Sequence, residues 1–159
     1  MSKGSFLLLF VACMPAVAQQ AGELERNKQI ARGFFEEVLD QGHLDRYAES
    51  HTRDFVAHAS DHDATLEEDI AIAREERKAF PDLKMRVNHI VAERDLVVVH
   101  WTVSGTNTQA GMGFPATGKP MKSSGMTLFR FQAGRISEEW NAWSMLSVMQ
   151  QLGLLAPPQ

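Results

Sequence analysis

Residues 95–108 read Asp95-Leu-Val-Val-Val-His100-Trp-Thr-Val-Ser-Gly105-Thr-Asn-Thr108, a run rich in β-branched and aromatic residues. Such a composition is typical of a β-strand. Similar runs from 121 to 131 and from 135 to 143 predict two more strands, with Gly-containing connections. Alternating apolar and polar residues from 83 to 91 predict a strand before them. The C-terminal half is therefore predicted to be a long antiparallel meander.

The N-terminal half is predicted to be mostly helical. Ile30, Phe34 and Val38 follow the 3.6-residue helical period in a segment from about 23 to 40. A short helix over 44–50 follows, and the next segment is extended. Helices first and a meander afterwards is the pattern of an α+β domain, in which a strongly curved sheet wraps around about three helices.

A better marked helix begins at Thr65, which can form a capping box with Glu68. It ends before Pro81, because proline cannot continue a helix. Its acidic and basic stretches, 67–69 and 74–78, are most simply its solvated face.

The first eighteen residues predict a signal peptide. Lys3 gives a cationic start, a short apolar run follows, and Ala16 and Ala18 supply the small residues of a cleavage site. Residues 19–159 are then one domain, which acts in the periplasm or outside the cell. Processing as a lipoprotein at Cys13 is the alternative.

Charge and cysteine content exclude several classes of protein. The formal charge is −4, or −5 once Lys3 is removed, and no basic cluster is present to bind nucleic acid. Cys13 is the only cysteine and lies in the predicted signal peptide, so we expect neither a disulfide nor a thiol nucleophile. Outside that peptide, no apolar stretch approaches the roughly 20 residues of a membrane span.

The order of several short motifs resembles a known family. They include Asp54-Phe-Val-Ala-His58, Trp101-Thr-Val-Ser-Gly-Thr106, Pro115-Ala-Thr-Gly-Lys119 and Gly134-Arg-Ile-Ser-Glu-Glu-Trp140. Together they resemble the SnoaL-like polyketide cyclases, also called ester cyclases, within the NTF2-like superfamily. The resemblance implies a cone of curved antiparallel sheet around a pocket. It also implies intramolecular aldol ring closure on a polyketide methyl ester, with neither metal nor organic cofactor.

The chain departs from the family pattern at the residues that carry the chemistry. In that pattern a carboxylate in the last strand, in a Trp-Asp pair, removes the proton α to a carbonyl. Here Asn141 occupies the Asp position, and Ser144 occupies the place of a second acidic residue. Asn107 stands where the family often has His, and His100 where it often has Arg.

Strand alternation places Glu139, Asn141 and Trp143 on one face of the last strand. Glu139 is then the leading candidate for the base, because an apolar pocket would raise its pKa, although it could instead be a solvent-facing charge. Asn141 is also a catalytic candidate: it could orient the substrate or donate a hydrogen bond to an oxyanion, or it could instead tie two strands together. His58 is a second candidate for proton transfer, or a partly buried His bonded to a backbone carbonyl.

The remaining candidates would bind the substrate. One of His100 and Trp101 should line the pocket, because neighbours in a strand face opposite sides. Met126 and Trp143 are expected to line it too, and Asn107 to place the substrate. His58 and His62 lie in a segment that is predicted to be a loop, where this spacing does not make a ligand pair, so no metal site is predicted.

The sequence thus leaves two main hypotheses. One is a cofactor-free acid/base enzyme acting on an apolar carbonyl or ester compound. The other is a non-catalytic exported protein that binds an apolar small molecule. Both require a cavity of a few hundred Å³. An epoxide hydrolase of the limonene type is disfavoured, because the predicted strands show no Arg flanked by Asp residues that could activate water. A homodimer is an open alternative to a monomer.

Overall fold

The computed structural model describes residues 14–59 and 62–156, with side chains from residue 18 onward. Residues 1–13, which hold most of the predicted signal peptide and Cys13, lie outside the described residues. Residues 14–18 begin the first helix. Export, lipoprotein processing and the domain division at residue 18 therefore stay predictions.

Helical segments occupy most of the N-terminal half, as predicted. They are α1 (Met14–Gly33), a π-helical turn (Phe34–Leu39), a 3₁₀ helix (Leu44–Glu49), α2 (Leu66–Ala79) and, at the other end of the chain, α3 (Met145–Gln151). The predicted capping box at the start of α2 is confirmed. The Thr65 side chain accepts a hydrogen bond from the Glu68 backbone, and the Glu68 carboxylate accepts one from the Thr65 backbone at 2.8 Å.

The sequence predicts that the first helix keeps the α-helical period to about Asp40, but the structure departs from that period. From Phe34 the helix continues as a π-helical turn, in which the Asp40 backbone N–H donates to the Phe35 carbonyl at 2.9 Å. The wider turn buries Phe34, Phe35 and Val38 together. Packing against the sheet therefore overrides the local helical period.

Six strands form one curved sheet. They are β1 (His51–His58), β2 (Asp63–Thr65), β3 (Lys84–Glu93), β4 (Leu96–Thr106), β5 (Pro120–Gln132) and β6 (Arg135–Trp143), in the order β2-β1-β6-β5-β4-β3. The antiparallel meander β3 to β6 is confirmed. The sequence did not predict that β1 pairs with β6 in parallel.

The inner face of this sheet packs against the helices. In β4 the residues Val97, Val99, Trp101 and Val103 are buried, and the residues between them are only half-buried. Phe129 of β5 lies 6.0 and 6.1 Å from Phe34 and Phe35, ring centroid to centroid. The predicted α+β fold is confirmed. No helix among the described residues is long and apolar enough to cross a membrane.

Candidate active site

A cavity of about 130 Å³ lies between the inner face of the sheet and the helices. It is smaller than the few hundred Å³ expected from the sequence, and below the usual range of about 300–1,000 Å³ for ligand sites. Its apolar wall comes from the π-helical turn, β3, β4, β6 and the loop after β4, and includes Phe35, Met85, Trp101, Met112 and Trp143. Such a wall suits a small apolar compound.

Gly125 brings the two cavity tryptophans together. In the sheet register Gly125 of β5 lies between Trp101 of β4 and Trp143 of β6. A Cβ atom at residue 125 would come within 2.5 Å of the Trp101 ring. Without one, the Trp101 and Trp143 rings approach to 6.2 Å between centroids. This glycine therefore makes room for the aromatic wall.

A chain of hydrogen bonds crosses the sheet towards the last strand. Trp101 Nε1 donates to Thr127 Oγ1 at 2.9 Å, and Thr127 Oγ1 donates to Asn141 Oδ1 at 2.5 Å. Asn141 Nδ2 then donates to Glu139 Oε1. Because Thr127 holds the carbonyl end of the Asn141 amide, the amino end faces the Glu139 carboxyl group.

Glu139 is a buried carboxyl group in the cavity wall, not a solvent-facing charge. The residue is 5% exposed. Burial raises its pKa to about 8, repulsion from Asp69 adds to this rise, and the hydrogen bond from Asn141 opposes it. Among the described residues, Glu139 Oε2 has no hydrogen-bond partner. This oxygen is therefore available to a bound molecule.

Three further polar residues of the cavity were missed by the sequence analysis. Tyr47, in the 3₁₀ helix, donates a hydrogen bond of 2.5 Å to Asp69 Oδ2. Asp69 and Glu76 lie on α2 and line the cavity. Burial raises the pKa of Asp69 and raises that of Glu76 to about 7.

The prediction that the charged stretches of α2 form its solvated face is wrong for Asp69 and Glu76. Ala73 is buried and also lines the cavity, and it lies four residues after Asp69 and three before Glu76. At these spacings the three residues share one face of a helix. This spacing was the signal in the sequence that could have revealed both carboxyl groups.

His58 lies outside the cavity. Its Nδ1 is 2.9 Å from Asp63 Oδ1, its Nε2 is 3.0 Å from Glu138 Oε2, and its ring stacks on Trp140 at 4.5 Å. The bond to Glu138 is the main cause of the raised pKa of His58. Since alternation along β6 puts Glu138 and Glu139 on opposite faces, the structure does not bring His58 to Glu139.

Three predicted binding residues also lie away from the cavity. Trp101 is the inward member of its pair, and His100 stacks on His89 at 5.5 Å on the outer face. Met126, the register partner of His100, is 54% exposed. Asn107 is fully buried, but its Oδ1 accepts from the Thr117 backbone at 2.8 Å, so that it fastens the loop between β4 and β5.

The structure thus brings together Glu139, Asn141, Trp101 and Trp143 of the predicted site. Within the part of the chain that the structure describes, no group of three or more His, Cys, Asp or Glu residues has an arrangement that could hold a metal ion.

Comparison with known families agrees with this architecture. The sequence pattern of the SnoaL-like polyketide cyclases matches residues 29–152. The chain belongs to this family. A SnoaL-like protein from Jannaschia is 26% identical, with a TM-score of 0.75 over 84% of this chain and 94% of that chain. IdmH from Streptomyces antibioticus, a proposed polyketide cyclase, is 26% identical, with a TM-score of 0.69 over 80% and 98%.

A third similar structure is AclR from Streptomyces galilaeus, a proposed hydroxylase. It is 24% identical, with a TM-score of 0.78 over 86% of each chain, which is evidence for the fold alone. Among curated proteins no sequence matches.

The last strand of this SnoaL-like chain carries a buried carboxyl group. Asn141 lines the cavity and is exposed to solvent. The buried carboxyl group is that of Glu139, two residues earlier and on the same face of β6.

Proposed function

We propose that this SnoaL-like protein is an ester cyclase-type enzyme that moves a proton at the carbon next to the carbonyl group of a small apolar ketone or ester. The single observation that carries the proposal is the Glu139 carboxyl group. It is buried in the cavity, it has a pKa of about 8, and its Oε2 has no partner among the described residues. A general base works best when its pKa lies near the working pH.

In the proposed step, ionised Glu139 takes the proton from the α-carbon. The electron pair of the broken C–H bond passes into the enolate, whose charge develops on the carbonyl oxygen. Glu76 has a pKa of about 7, so near neutral pH its protonated form can donate a hydrogen bond to that oxygen. In ring closure the enolate carbon then forms a C–C bond to a second carbonyl carbon of the same molecule, and the π electrons of that carbonyl pass to its oxygen. Protonated Glu139 returns its proton to this oxygen, which leaves a hydroxyl group.

The test is exchange of the α-protons of phenylacetone in D₂O, followed by proton NMR. Glu139→Gln keeps the shape of the side chain but removes the base, and should slow exchange by at least about 10²-fold. Exchange by the wild type should rise with pH to a maximum between about pH 7 and 8, because ionised Glu139 is the base and protonated Glu76 is the hydrogen-bond donor. Glu139→Gln should lack the rising part of this profile.

Glu138→Gln is the matched control, because Glu138 bonds His58 and does not line the cavity. It should exchange at the wild-type rate. If the wild type does not exchange the protons faster than buffer but still binds the ketone, the chain is instead a non-catalytic binding protein. The apolar wall of the cavity supports that alternative.

A further inference from the structure

The described lining of the cavity contains acidic side chains that no basic side chain matches. Asp69, Glu76 and Glu139 line it, and no Arg, Lys or His does so among the described residues. Their carboxyl groups repel one another, since Asp69 raises the pKa of both Glu76 and Glu139. Asp69 accepts a hydrogen bond from the Tyr47 hydroxyl at 2.5 Å, which favours the ionised form of Asp69 and so a negative charge in the cavity.

Arg77, which acts electrostatically on Glu76, does not neutralise this charge. Arg77 lowers the pKa of Glu76, but burial outweighs that effect. Its guanidinium donates to backbone carbonyls at the ends of two segments, to Leu83 O and to Asp40 O, each at 2.9 Å. Arg77 thus stabilises the backbone at these two segment ends and does not line the cavity.

A second observation, at the Glu139 carboxyl group, points to a ligand in the cavity. Glu139 is 5% exposed, yet its Oε2 has no hydrogen-bond partner among the described residues. A buried carboxyl oxygen without a partner is costly, so this oxygen is expected to be satisfied by a bound molecule.

The aromatic wall has the chemistry that stabilises a positive charge. The Trp101 ring lies 6.2 Å from Trp143 and 6.4 Å from Phe35, and all three line the cavity. The faces of such rings attract ammonium groups, most strongly where water is excluded. Carboxyl groups and aromatic rings that line the same cavity are a suitable environment for an organic cation.

We propose that the substrate is an apolar carbonyl compound that carries a protonated amine, with the ammonium group held by the Asp69 carboxylate of α2, while Glu76 remains the donor to the carbonyl oxygen. Glu139 Oε2 is then left for the proton of the α-carbon. This assignment rests on the proposed function for the carbonyl part of the molecule, and the amine is the new element. A neutral or anionic compound would leave the charge of the cavity uncompensated.

Three probes of similar size and different charge test the amine directly on the wild-type protein: benzylammonium, benzyl alcohol and benzoate. Titration calorimetry at pH 7 should show benzylammonium binding at least about tenfold more tightly than benzyl alcohol, with benzoate weakest. Equal binding of the three probes, or no detectable binding of benzylammonium, would overturn the inference.

Two variants of α2 locate the effect. Asp69→Asn removes a carboxylate from the cavity and should reduce the preference for benzylammonium over benzyl alcohol several-fold. Glu67→Gln removes a charge from the exposed side of the same helix and should leave the preference unchanged. An equal loss in both variants would point to general surface charge and overturn the assignment to the cavity.

The two proposals fail separately. If phenylacetone exchange depends on Glu139 while the three probes bind equally, the proposed function stands and the proposal of an amine in the substrate is wrong. If benzylammonium is preferred and no exchange is catalysed, the cation site stands and the proton transfer is wrong.

Discussion

Asn141 Nδ2 donates a hydrogen bond to Glu139 Oε1, and the two residues lie two positions apart on the cavity side of β6. The amide is held in this orientation by Thr127, which Trp101 holds in turn. A hydrogen bond to the ionised form of a carboxyl group lowers its pKa. Asn141 therefore keeps the pKa of Glu139 lower than burial alone would make it.

Replacing Asn141 with Asp should slow proton exchange at pH 7 by about tenfold or more. The new carboxylate cannot donate to Glu139, and two close carboxylates compete for one proton, so the pKa of the pair moves further up. The pH profile of phenylacetone exchange should shift to higher pH. Asn88→Asp makes the same change at Asn88, which bonds Thr102, and should have little effect. Faster exchange in Asn141→Asp than in the wild type would mean that the natural site lacks a base.

The free energy of unfolding should fall as the pH rises from about 6.5 to about 8. In the folded state the pKa of Glu139 is about 8 and that of Glu76 about 7, both above the usual value of 4.5. The folded state therefore holds protons that the unfolded chain releases, so stability is lost as pH rises through these values. For each such proton, the free energy of unfolding falls by up to about 1.4 kcal/mol when the pH rises by one. Urea unfolding at several pH values measures this slope. Glu139→Gln should flatten it, and an unchanged slope would contradict the raised pKa.

Below about pH 6.5 a second group acts in the opposite direction. Burial lowers the pKa of His51 to about 4, so the unfolded chain takes up a proton that the folded state refuses. Stability that depends on His51 is therefore lost as the pH falls from 6.5 towards 4. For this reason the effect of the carboxyl groups on the free energy of unfolding is best measured above pH 6.5.

Thr127→Val should destabilise the protein by about 1–3 kcal/mol, because it leaves the buried Trp101 Nε1 without its acceptor. It also frees the Asn141 amide to rotate, so exchange should slow as well. Thr127→Ser keeps the hydroxyl group and should restore most of both losses. Urea unfolding and the exchange assay report the two effects, and equal stability of Val and Ser variants would argue against the hydrogen-bond chain.

His58→Gln distinguishes the two proton-transfer candidates of the sequence analysis. His58 contacts Asp63, Glu138 and Trp140 and does not line the cavity. Exchange should therefore stay within about twofold of the wild type, since general acid–base groups contribute roughly 10²-fold or more. A loss of that size, with an unchanged circular dichroism spectrum, would assign the proton transfer to His58.

Export, which we propose from the sequence, predicts that the mature chain begins at Gln19. Ala16 and Ala18 supply the small side chains that the signal peptidase accepts. N-terminal sequencing of the protein recovered from the periplasm or medium measures the site. A chain that begins at Met1 would contradict export, and an acylated Cys13 would indicate the lipoprotein alternative.

Local sequence patterns predicted where the helices and strands lie better than which face of each one is buried. The alternation in β4 showed that His100 and Trp101 face opposite sides, but not which side is inner. That choice depends on Gly125 of the neighbouring strand, which makes room for the Trp101 ring. The parallel pairing of β1 with β6 likewise joins residues about 80 apart, which no local period reveals.

Within the candidate site, the sequence pointed to the carboxyl group of β6 but not to those of α2. Charged residues on a helix usually face solvent, and Asp69 and Glu76 were assigned there for that reason. Their burial depends on the tertiary packing of α2, whose buried face includes Ala73. The prediction for Asn107 was wrong in the opposite sense. This polar residue, next to the end of β4, was expected to contact the substrate, but its side chain forms hydrogen bonds with the following loop instead.

The π-helical turn at Phe34–Leu39 also determines how the cavity would respond to a change in chain length. A π turn contains one residue more than the α-helical pattern that it interrupts. Deleting Glu36 would let α1 continue as a regular helix and rotate Leu39 by about 100° relative to Phe34 and Phe35. These three residues line the cavity together now and would no longer face the same side. A one-residue deletion in this turn should therefore damage the site more than most substitutions in it.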